Sequence, residues 1–193
     1  MSFYAGICQE SERQKIPQNT YSARNINTFE RFQDMTKILF VCLGNICRSP
    51  MAEFIMKDLV QKAGLEDRFQ IDSAATGAEE VGNPVYPPAR RKLAEHGIDC
   101  AGKTARLLTK GDYSQYDLLI GMDSANLRNM RRICGGDRDD KIRLLMEYTD
   151  RPGDVADPWY TGDFEATWQD AVAGCSGLLN HLQCNDGHSF QAS

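Results

Sequence analysis

Residues 41–50 read VCLGNICRSP, and the expected fold is built around this decapeptide. It follows the apolar run 38–41 and precedes a helical pattern that begins near Met51. A strand that feeds a tight loop and then a helix directs backbone N–H groups toward one point, where the helix N-terminus adds partial positive charge. The sequence therefore predicts an anion cradle, with the Cys42 sulfur at its start and the Arg48 guanidinium at its end.

The composition limits the class of protein and of partner. The chain has 193 residues, 41% hydrophobic and 25% charged, which is typical of a globular domain. Its net charge of -5 argues against nucleic acid and anionic membranes as partners. The seven cysteines fit free thiols better than a disulfide framework, and the N-terminal residues lack the pattern of a signal peptide. We therefore expect a cytoplasmic protein.

The chain divides into three parts by pattern. Residues 1–34 are polar without clear periodicity, so they are predicted to form an N-terminal arm, either disordered or upstream of a true start at Met35. Residues 35–184 are predicted to be one folded domain, and residues 185–193 a polar tail.

Strand and helix patterns alternate through the predicted domain. Apolar runs predict strands at 37–42, 69–73, 116–122 and 142–146. Helical spacing predicts helices at 50–63, 87–97, after Asp123 or Ser124 as the cap, and at 163–184. This alternation predicts an α/β fold with a single doubly wound four-stranded parallel sheet, in the flavodoxin-like order 2-1-3-4, with helices on both faces. In such folds ligands bind at the carboxyl ends of the strands, where the predicted cradle lies.

Several segments resemble one known family when they are taken together. They are Cys42-x5-Arg48-Ser49 with the following PMAE, the segments DSAAT at 72–76 and VGNP at 81–84, Met122-Asp123, and DPWY at 157–160. In this order they resemble the low-molecular-weight protein tyrosine phosphatases over residues 37 to about 182. The resemblance implies a phosphatase domain that acts on phosphotyrosine in proteins through a cysteinyl-phosphate intermediate.

The resemblance and the chemistry of the side chains give three residues catalytic roles. A thiol at a helix N-terminus is activated as a thiolate, so Cys42 is predicted to be the nucleophile. Arg48 is predicted to clamp two phosphoryl oxygens in the transition state. The resemblance assigns the general acid, and then the general base, to Asp157, and Asp154 is a weaker candidate for that role.

Further residues are predicted to bind the phosphate or the substrate. They are Leu43, Gly44, Asn45, Ile46, Cys47, Ser49, Trp159 and Tyr160. Ser49 either donates a hydrogen bond to the thiolate or caps the helix, and both roles are compatible. Trp159 either lines the cleft or packs in the core. The resemblance also suggests a reversible disulfide between Cys47 and Cys42 that protects the nucleophile.

Other functions of the same loop are weighed against this one. An arsenate reductase is disfavoured because no cysteine lies between Cys100 and Cys134. A protein arginine phosphatase of the same family remains an alternative, although such members carry Thr where this chain has Ile46. A non-catalytic phosphate-binding module is the second alternative. No cofactor or metal is expected, because the three histidines lack the spacing of metal ligands, and the oligomeric state is left open.

Two positions depart from the family pattern. Glu79 stands where many members have an aromatic residue, so we expect an acidic mouth that disfavours very acidic phosphopeptides. Lys103 stands in a stretch that usually contains a histidine, so we expect the hydrogen bonds around Asn45 to differ.

Overall fold

The structure is a computed structural model, and it describes residues 35–188, with side chains to residue 184. The predicted arm at 1–34 lies outside the described residues, as do residues 189–193 of the predicted tail. The division into arm, domain and tail therefore stays a prediction. No helix within residues 35–188 combines the length and the apolar character needed to cross a bilayer.

Strands and helices alternate along the described part of the chain. The strands are β1 (Thr36–Cys42), β2 (Phe69–Ala75), β3 (Leu118–Gly121) and β4 (Ile142–Leu144). The α-helices are α1 (Arg48–Lys62), α2 (Pro87–Glu95), α3 (Asp112–Gln115), α4 (Ser124–Cys134), α5 (Pro158–Thr161) and α6 (Phe164–His188). Two 3₁₀ turns lie at Glu66–Arg68 and Leu145–Tyr148.

The four strands form one parallel sheet in the order β2-β1-β3-β4, which confirms the predicted fold class and strand order. β1 is central, and its last residues pair with the ends of both neighbours: Cys42 lies opposite Ala75, and Val41 lies opposite Gly121. The connection after β1 leads to β2 on one side, and the connection after β3 leads to β4 on the other side, so a crevice opens between the carboxyl ends of β1 and β3. Cys42 is the last residue of β1.

The alternation of side chains along β1 divides the core between the two faces of the sheet. Ile38 and Phe40 pack with α1, α2 and α6 on one face, where both side chains are fully buried. Leu39 and Val41 pack with α4 on the other face. A central strand that is apolar on both faces must be covered on both sides, as the continuous run 38–41 indicates.

Several element ends differ from the predicted ones. α1 begins at Arg48 instead of Pro50, because a proline is tolerated within the first turn of a helix. β3 spans only 118–121, and the predicted fourth strand ends at Leu144, after which the chain turns into a 3₁₀ segment. The last helix extends to His188 instead of residue 184.

Candidate active site

The loop between β1 and α1, residues 42–48, is called the cradle loop here. The carbonyl groups of Cys42, Leu43 and Ile46 accept backbone hydrogen bonds of 2.8–2.9 Å from residues 76, 77 and 86. In a planar trans peptide the N–H points opposite to the C=O, so these bonds turn N–H groups of the loop toward the crevice. This geometry is the one that an anion-binding loop requires, and anion binding itself stays a prediction.

Asn45 holds the cradle loop in its curved shape. Its φ of 57° lies in the left-handed region, which asparagine tolerates better than most residues. Its buried amide donates from Nδ2 to Ser49 Oγ at 2.9 Å and to Ser73 Oγ at 2.7 Å. Its Oδ1 accepts the backbone N–H of Arg106 at 3.1 Å. Three hydrogen bonds therefore fix a backbone conformation that would otherwise be unfavourable.

The Cys42 sulfur lies in a setting suited to negative charge. Cys42 is 3% exposed, and its Sγ accepts the backbone N–H of Asn45 at 3.2 Å. Ser49 Oγ lies 3.0 Å from the same sulfur. The sulfur also lies close to the N-terminus of α1, where the helix carries partial positive charge. Ser49 lies inside α1, whose N-cap is Cys47 with no side-chain cap bond, so the cap role considered for Ser49 is wrong.

Arg48 is buried between two carboxylates. Its Nη1 lies 2.7 Å from Asp123 Oδ2, and its Nη2 lies 2.6 Å from Asp157 Oδ2. Burial opposes the charge, but Cys42 and the two carboxylates raise the pKa of Arg48 above its ordinary value. The guanidinium is therefore a permanent cation with a fixed orientation at the base of the crevice.

Asp157 projects from the loop that precedes α5. It is the N-cap of this short helix, and its Oδ1 accepts the backbone N–H of Trp159 at 3.0 Å. Pro158 follows it and is buried, which keeps the backbone of Asp157 extended. One oxygen thus orients the carboxyl group while the other faces Arg48 and the cleft. A carboxyl group held in this way can exchange a proton with a bound ligand.

The crevice is a cleft of about 220 Å³ above the cradle loop. The residues that line it are Cys42, Leu43, Gly44, Ile46, Cys47, Arg48, Glu79, Glu80, Asp157, Trp159 and Tyr160. Trp159 and Tyr160 are 59% and 83% exposed, so the core-packing alternative for Trp159 is wrong. The Trp159 ring instead lies against Tyr86, with ring centroids 5.6 Å apart. One wall of the cleft is therefore aromatic and the other, at Glu79 and Glu80, is acidic.

Two predicted loop residues differ in what they present to the cleft. Ile46 is 8% exposed and packs with Ala105 and Tyr86. Burial, followed by the nearby Cys42 and Asp157, raises the pKa of Cys47 to about 12. Cys47 is therefore a neutral thiol at neutral pH and does not compete with Cys42 as a nucleophile.

Most of the sequence-predicted site residues lie around one cleft. The exceptions are Asn45, within the cradle loop, and Ser49, in the first turn of α1, which do not line the cleft and instead contact the Cys42 sulfur. Asp154 does not line the cleft and instead accepts the N–H of Ser124 at 3.0 Å. The described residues contain no group of three or more side chains arranged to hold a metal.

Sequence reasoning missed Asp123 as a partner of Arg48 and Tyr86 as a support of Trp159. Asp123 was predicted only as a helix cap, a role that it also fills by accepting the N–H of Asn126 at 2.6 Å. Its position directly after β3, beside β1, was the available signal, because neighbouring parallel strands end at the same edge. For Tyr86 no comparable signal exists in the sequence.

A family model described as "Low molecular weight phosphotyrosine protein phosphatase" matches residues 37–187. The low molecular weight protein-tyrosine-phosphatase YfkJ of Bacillus subtilis is 41% identical over 151 residues, which cover 77% of this chain and 97% of that protein. Its crystal structure superposes with a TM-score of 0.76, covering 78% of this chain and 96% of that chain.

One further relative and one further solved structure are similar to this chain. The low molecular weight phosphotyrosine protein phosphatase of Schizosaccharomyces pombe is 47% identical over 135 residues, covering 66% of this chain and 85% of that protein. A crystal structure described as a Drosophila arginine phosphatase superposes with a TM-score of 0.70 at 32% identity, covering 76% of this chain and 98% of that chain.

Proposed function

The chain belongs to the low molecular weight phosphotyrosine protein phosphatase family, which makes it a phosphoric monoester hydrolase, and we propose that it dephosphorylates phosphotyrosine in proteins through a phosphocysteine on Cys42. One observation carries the proposal. Cys42, Arg48 and Asp157 face the same narrow cleft, with the guanidinium in contact with the carboxylate. Binding of phosphate alone requires neither a thiol nor an acid at that place.

In the first step the Cys42 sulfur attacks the phosphorus atom of the bound ester. The S–P bond forms as the P–O bond to the tyrosine ring breaks, and Asp157 gives its proton to the departing phenolic oxygen. Arg48 and the N–H groups of the cradle loop stabilise the charge on the three equatorial oxygens. The product is phosphocysteine and a neutral tyrosine side chain.

In the second step water attacks the phosphocysteine. The Asp157 carboxylate now takes a proton from the water, the new O–P bond forms, and the S–P bond breaks to release inorganic phosphate. The leaving group is the Cys42 thiolate, and hydrogen bonds from Ser49 Oγ and Asn45 N stabilise its charge. The enzyme returns to its starting protonation state.

The contact between Arg48 and Asp157 has to be exchanged during this cycle. A phosphate group that takes a bidentate position on Arg48 displaces Asp157 Oδ2 from Nη2, while Asp123 still holds Nη1. Asp157 remains anchored near the cleft by the N–H of Trp159. Substrate binding thus frees Asp157 to face the leaving group while the guanidinium stays in place.

The walls of the cleft favour a phosphorylated aromatic ring over phosphoarginine. Trp159 and Tyr160 offer exposed ring faces against which a substrate ring can stack. Ile46 places an apolar branched side chain at the edge of the cleft, and this side chain offers a polar guanidinium no hydrogen-bond acceptor. Activity on a phosphoarginine protein at least equal to that on phosphotyrosine would establish the arginine phosphatase alternative instead.

Hydrolysis of aryl phosphates of graded leaving-group pKa tests the assignment. We expect Cys42→Ser to abolish turnover, and Asp157→Asn to lower kcat by about 10²–10⁴-fold for poor leaving groups. The loss in Asp157→Asn becomes smaller for nitrophenyl phosphate, because that phenol leaves without a proton. Asp154→Asn is the matched control: the amide keeps an oxygen that accepts the N–H of Ser124, so we expect the dependence on leaving group to stay unchanged.

Two outcomes would contradict the proposal. An equal loss in Asp157→Asn for all leaving groups would remove Asp157 from the acid role. Binding of a phosphotyrosine peptide without hydrolysis by the wild type would establish the non-catalytic module. The cytoplasmic location and a phosphoprotein partner stay predictions, which cell fractionation and trapping of substrates on Cys42→Ser test.

A further inference from the structure

Tyr86 lies next to the cleft without lining it. It is the N-cap residue of α2, and its side chain is half-buried. The centroid of its ring lies 5.6 Å from that of Trp159 and 6.1 Å from that of Phe164. It also packs against the small buried cluster that contains Ile46 and Cys47 of the cradle loop. One ring therefore joins the apolar side of the cradle loop, the aromatic wall of the cleft and the first residue of α6.

The backbone of Tyr86 is held on both sides. Its N–H donates to the Ile46 carbonyl at 2.8 Å, and its own carbonyl accepts the N–H of Arg90 at 3.0 Å. Pro87 follows and keeps Tyr86 extended, with φ −54° and ψ 133°. Val85, on the other side, is buried in the core. The ring is therefore carried by a backbone that is fixed relative to the cradle loop.

Trp159, in contrast, belongs to α5, a helix of only four residues. A helix this short is not stable on its own, so contacts outside it must hold it in place. Pro158 is buried and fixes its first turn. The Trp159 side chain is 59% exposed, and an exposed side chain exchanges between rotamers unless a neighbour holds it. The ring of Tyr86 is such a neighbour.

The place of Trp159 also affects the acid. The Trp159 N–H donates to Asp157 Oδ1 at 3.0 Å and so orients the carboxyl group. Trp159 thus offers its ring to the substrate and its N–H to Asp157. Loss of the Tyr86 ring would loosen both, whereas the bond from the Tyr86 backbone to Ile46 would persist and leave the cradle loop intact.

We propose that Tyr86 is a positioning residue whose ring holds Trp159 at a fixed place above the cradle loop, so that a phosphoryl group and the aromatic ring attached to it are bound together. The proposal deepens the proposed function and rests on it, because it adopts the roles given there to Trp159 and Asp157. The consequence is selective: the Tyr86 ring matters for ligands that carry an aromatic ring and not for phosphate alone.

Binding of two ligands that the enzyme cannot hydrolyse tests this selectivity. Inorganic phosphate reaches only the cradle loop, whereas benzylphosphonate adds a ring at the aromatic wall. By isothermal titration calorimetry, we expect Tyr86→Leu to raise the Kd of benzylphosphonate about three- to tenfold, which corresponds to one aromatic contact. The Kd of phosphate should stay within about twofold for the same reason. Tyr86→Phe keeps the ring and should retain most of the affinity for benzylphosphonate.

Tyr113→Leu is the matched control, because it makes the same substitution at another half-buried tyrosine outside the cleft. We expect it to leave both dissociation constants close to those of the wild type. An equal weakening of phosphate and benzylphosphonate in Tyr86→Leu would indicate damage to the cradle loop and overturn the proposal. An unchanged Kd for benzylphosphonate, or an equal rise in Tyr113→Leu, would overturn it too.

The mobility of the Trp159 ring can be measured directly, without any ligand or turnover. The chain has two tryptophans, and Trp168→Phe leaves Trp159 as the only one. In this background we expect Tyr86→Leu to increase the amplitude of sub-nanosecond depolarisation in time-resolved fluorescence anisotropy, and Tyr86→Phe to increase it much less. An unchanged amplitude in Tyr86→Leu contradicts the proposal. A wild type that hydrolyses no aryl phosphate contradicts the proposed function instead, and this measurement stays valid.

Where the enzyme turns over, a double-mutant cycle shows whether Tyr86 acts through Trp159. We expect Tyr86→Leu to lower kcat about three- to tenfold for phenyl phosphate and less for nitrophenyl phosphate, because only the first needs a well-placed proton on Asp157. In a Trp159→Ala background the same change should add little, and fully additive losses would contradict the proposal. If the thermal midpoint shows that Tyr86→Leu is not folded, Tyr86→Met provides the same comparisons.

Discussion

Two cysteines of one loop have opposite chemical settings. Cys42 receives hydrogen bonds at the N-terminus of α1, which suits a charged sulfur. Cys47, five residues further on, is buried beside Cys42 and Asp157, and its pKa rises to about 12. The residue type is the same at both positions, so the difference in setting arises from the fold.

This difference predicts how the protein responds to peroxide. Oxidation of Cys42 to the sulfenic acid, followed by attack of Cys47, forms a disulfide and releases water, and dithiothreitol then restores both thiols. We expect full recovery in the wild type but not in Cys47→Ala, in which over-oxidation of Cys42 proceeds. Because the pKa of Cys47 lies near 12, its thiolate fraction rises roughly tenfold per pH unit between pH 7 and 9, and formation of the disulfide should accelerate accordingly.

Cys134→Ala serves as the control for this experiment. Its thiol lies against the other face of the sheet, and burial raises its pKa to about 11. We expect it to recover as the wild type does. Equal recovery in Cys47→Ala and the wild type would remove Cys47 from the protective role.

The segment that carries Asp157, residues 149–157, is here called the acid loop, and it is fixed by two helices. From α6, Asp170 Oδ2 accepts the N–H of Ala156 at 3.0 Å, and Thr167 Oγ1 donates to the Ala156 carbonyl at 2.9 Å. From the start of α4, the N–H of Ser124 donates to Asp154. Both anchors lie within three residues of Asp157, so they limit how far its carboxyl group can move.

Asp170 should therefore affect catalysis without touching the substrate. In Asp170→Ala the N–H of Ala156 loses its acceptor, and we expect kcat to fall about tenfold for poor leaving groups and less for nitrophenyl phosphate. Arg151→Ala is the matched control, since it removes only the exposed ion pair with Asp170 at 3.3 Å. Steady-state kinetics measure kcat and KM for the two classes of substrate. A rise in KM with kcat unchanged would assign Asp170 to substrate binding instead.

The sequence predicts elements well where one strong pattern spans many residues. β1 is apolar on both faces and α6 has regular helical spacing, so both were predicted close to their observed bounds. The four-residue helices α3 and α5 were missed, because so short a segment shows no periodicity. The ends of β3 and β4 depend on pairing with neighbours, which the order of residues alone does not specify.

The same distinction holds within the candidate site. The cradle loop is one continuous segment, so its residues could be recognised together. Glu53, Ser73 and Lys103 come from a helix, a strand and a loop that are far apart in the chain, and only the fold brings them to one oxygen atom. Their contact could not be predicted, although Lys103 departs from the family pattern.

Charge is distributed unevenly over the whole molecule. The chain carries a net charge of -5, yet the proposed substrate is an anion. The single cation that lines the cleft among the described residues, Arg48, is already paired with Asp123 and Asp157. Glu79 and Glu80 add negative charge at the rim. Attraction of the phosphate therefore acts only at short range, and the rim opposes additional negative charge on the peptide.

This balance predicts a dependence on the sequence of the peptide and on salt. We expect kcat/KM at low salt to be lower for phosphotyrosine flanked by acidic residues than for phosphotyrosine flanked by lysines. The gap should close at about 1 M salt, where the Debye length is about 3 Å. Glu79→Gln should raise kcat/KM for the acidic peptide about two- to fivefold at low salt, because one repulsive charge is removed within several ångströms of the bound peptide.

Glu66→Gln is the control: it changes the net charge equally at an exposed position outside the cleft, so it separates the local field from the total charge. If both variants behave alike, the net charge of the molecule governs encounter with the substrate. If kcat/KM is independent of salt and of peptide charge, the rim takes no part in selecting the substrate, and selection falls to the aromatic wall at Trp159 and Tyr160.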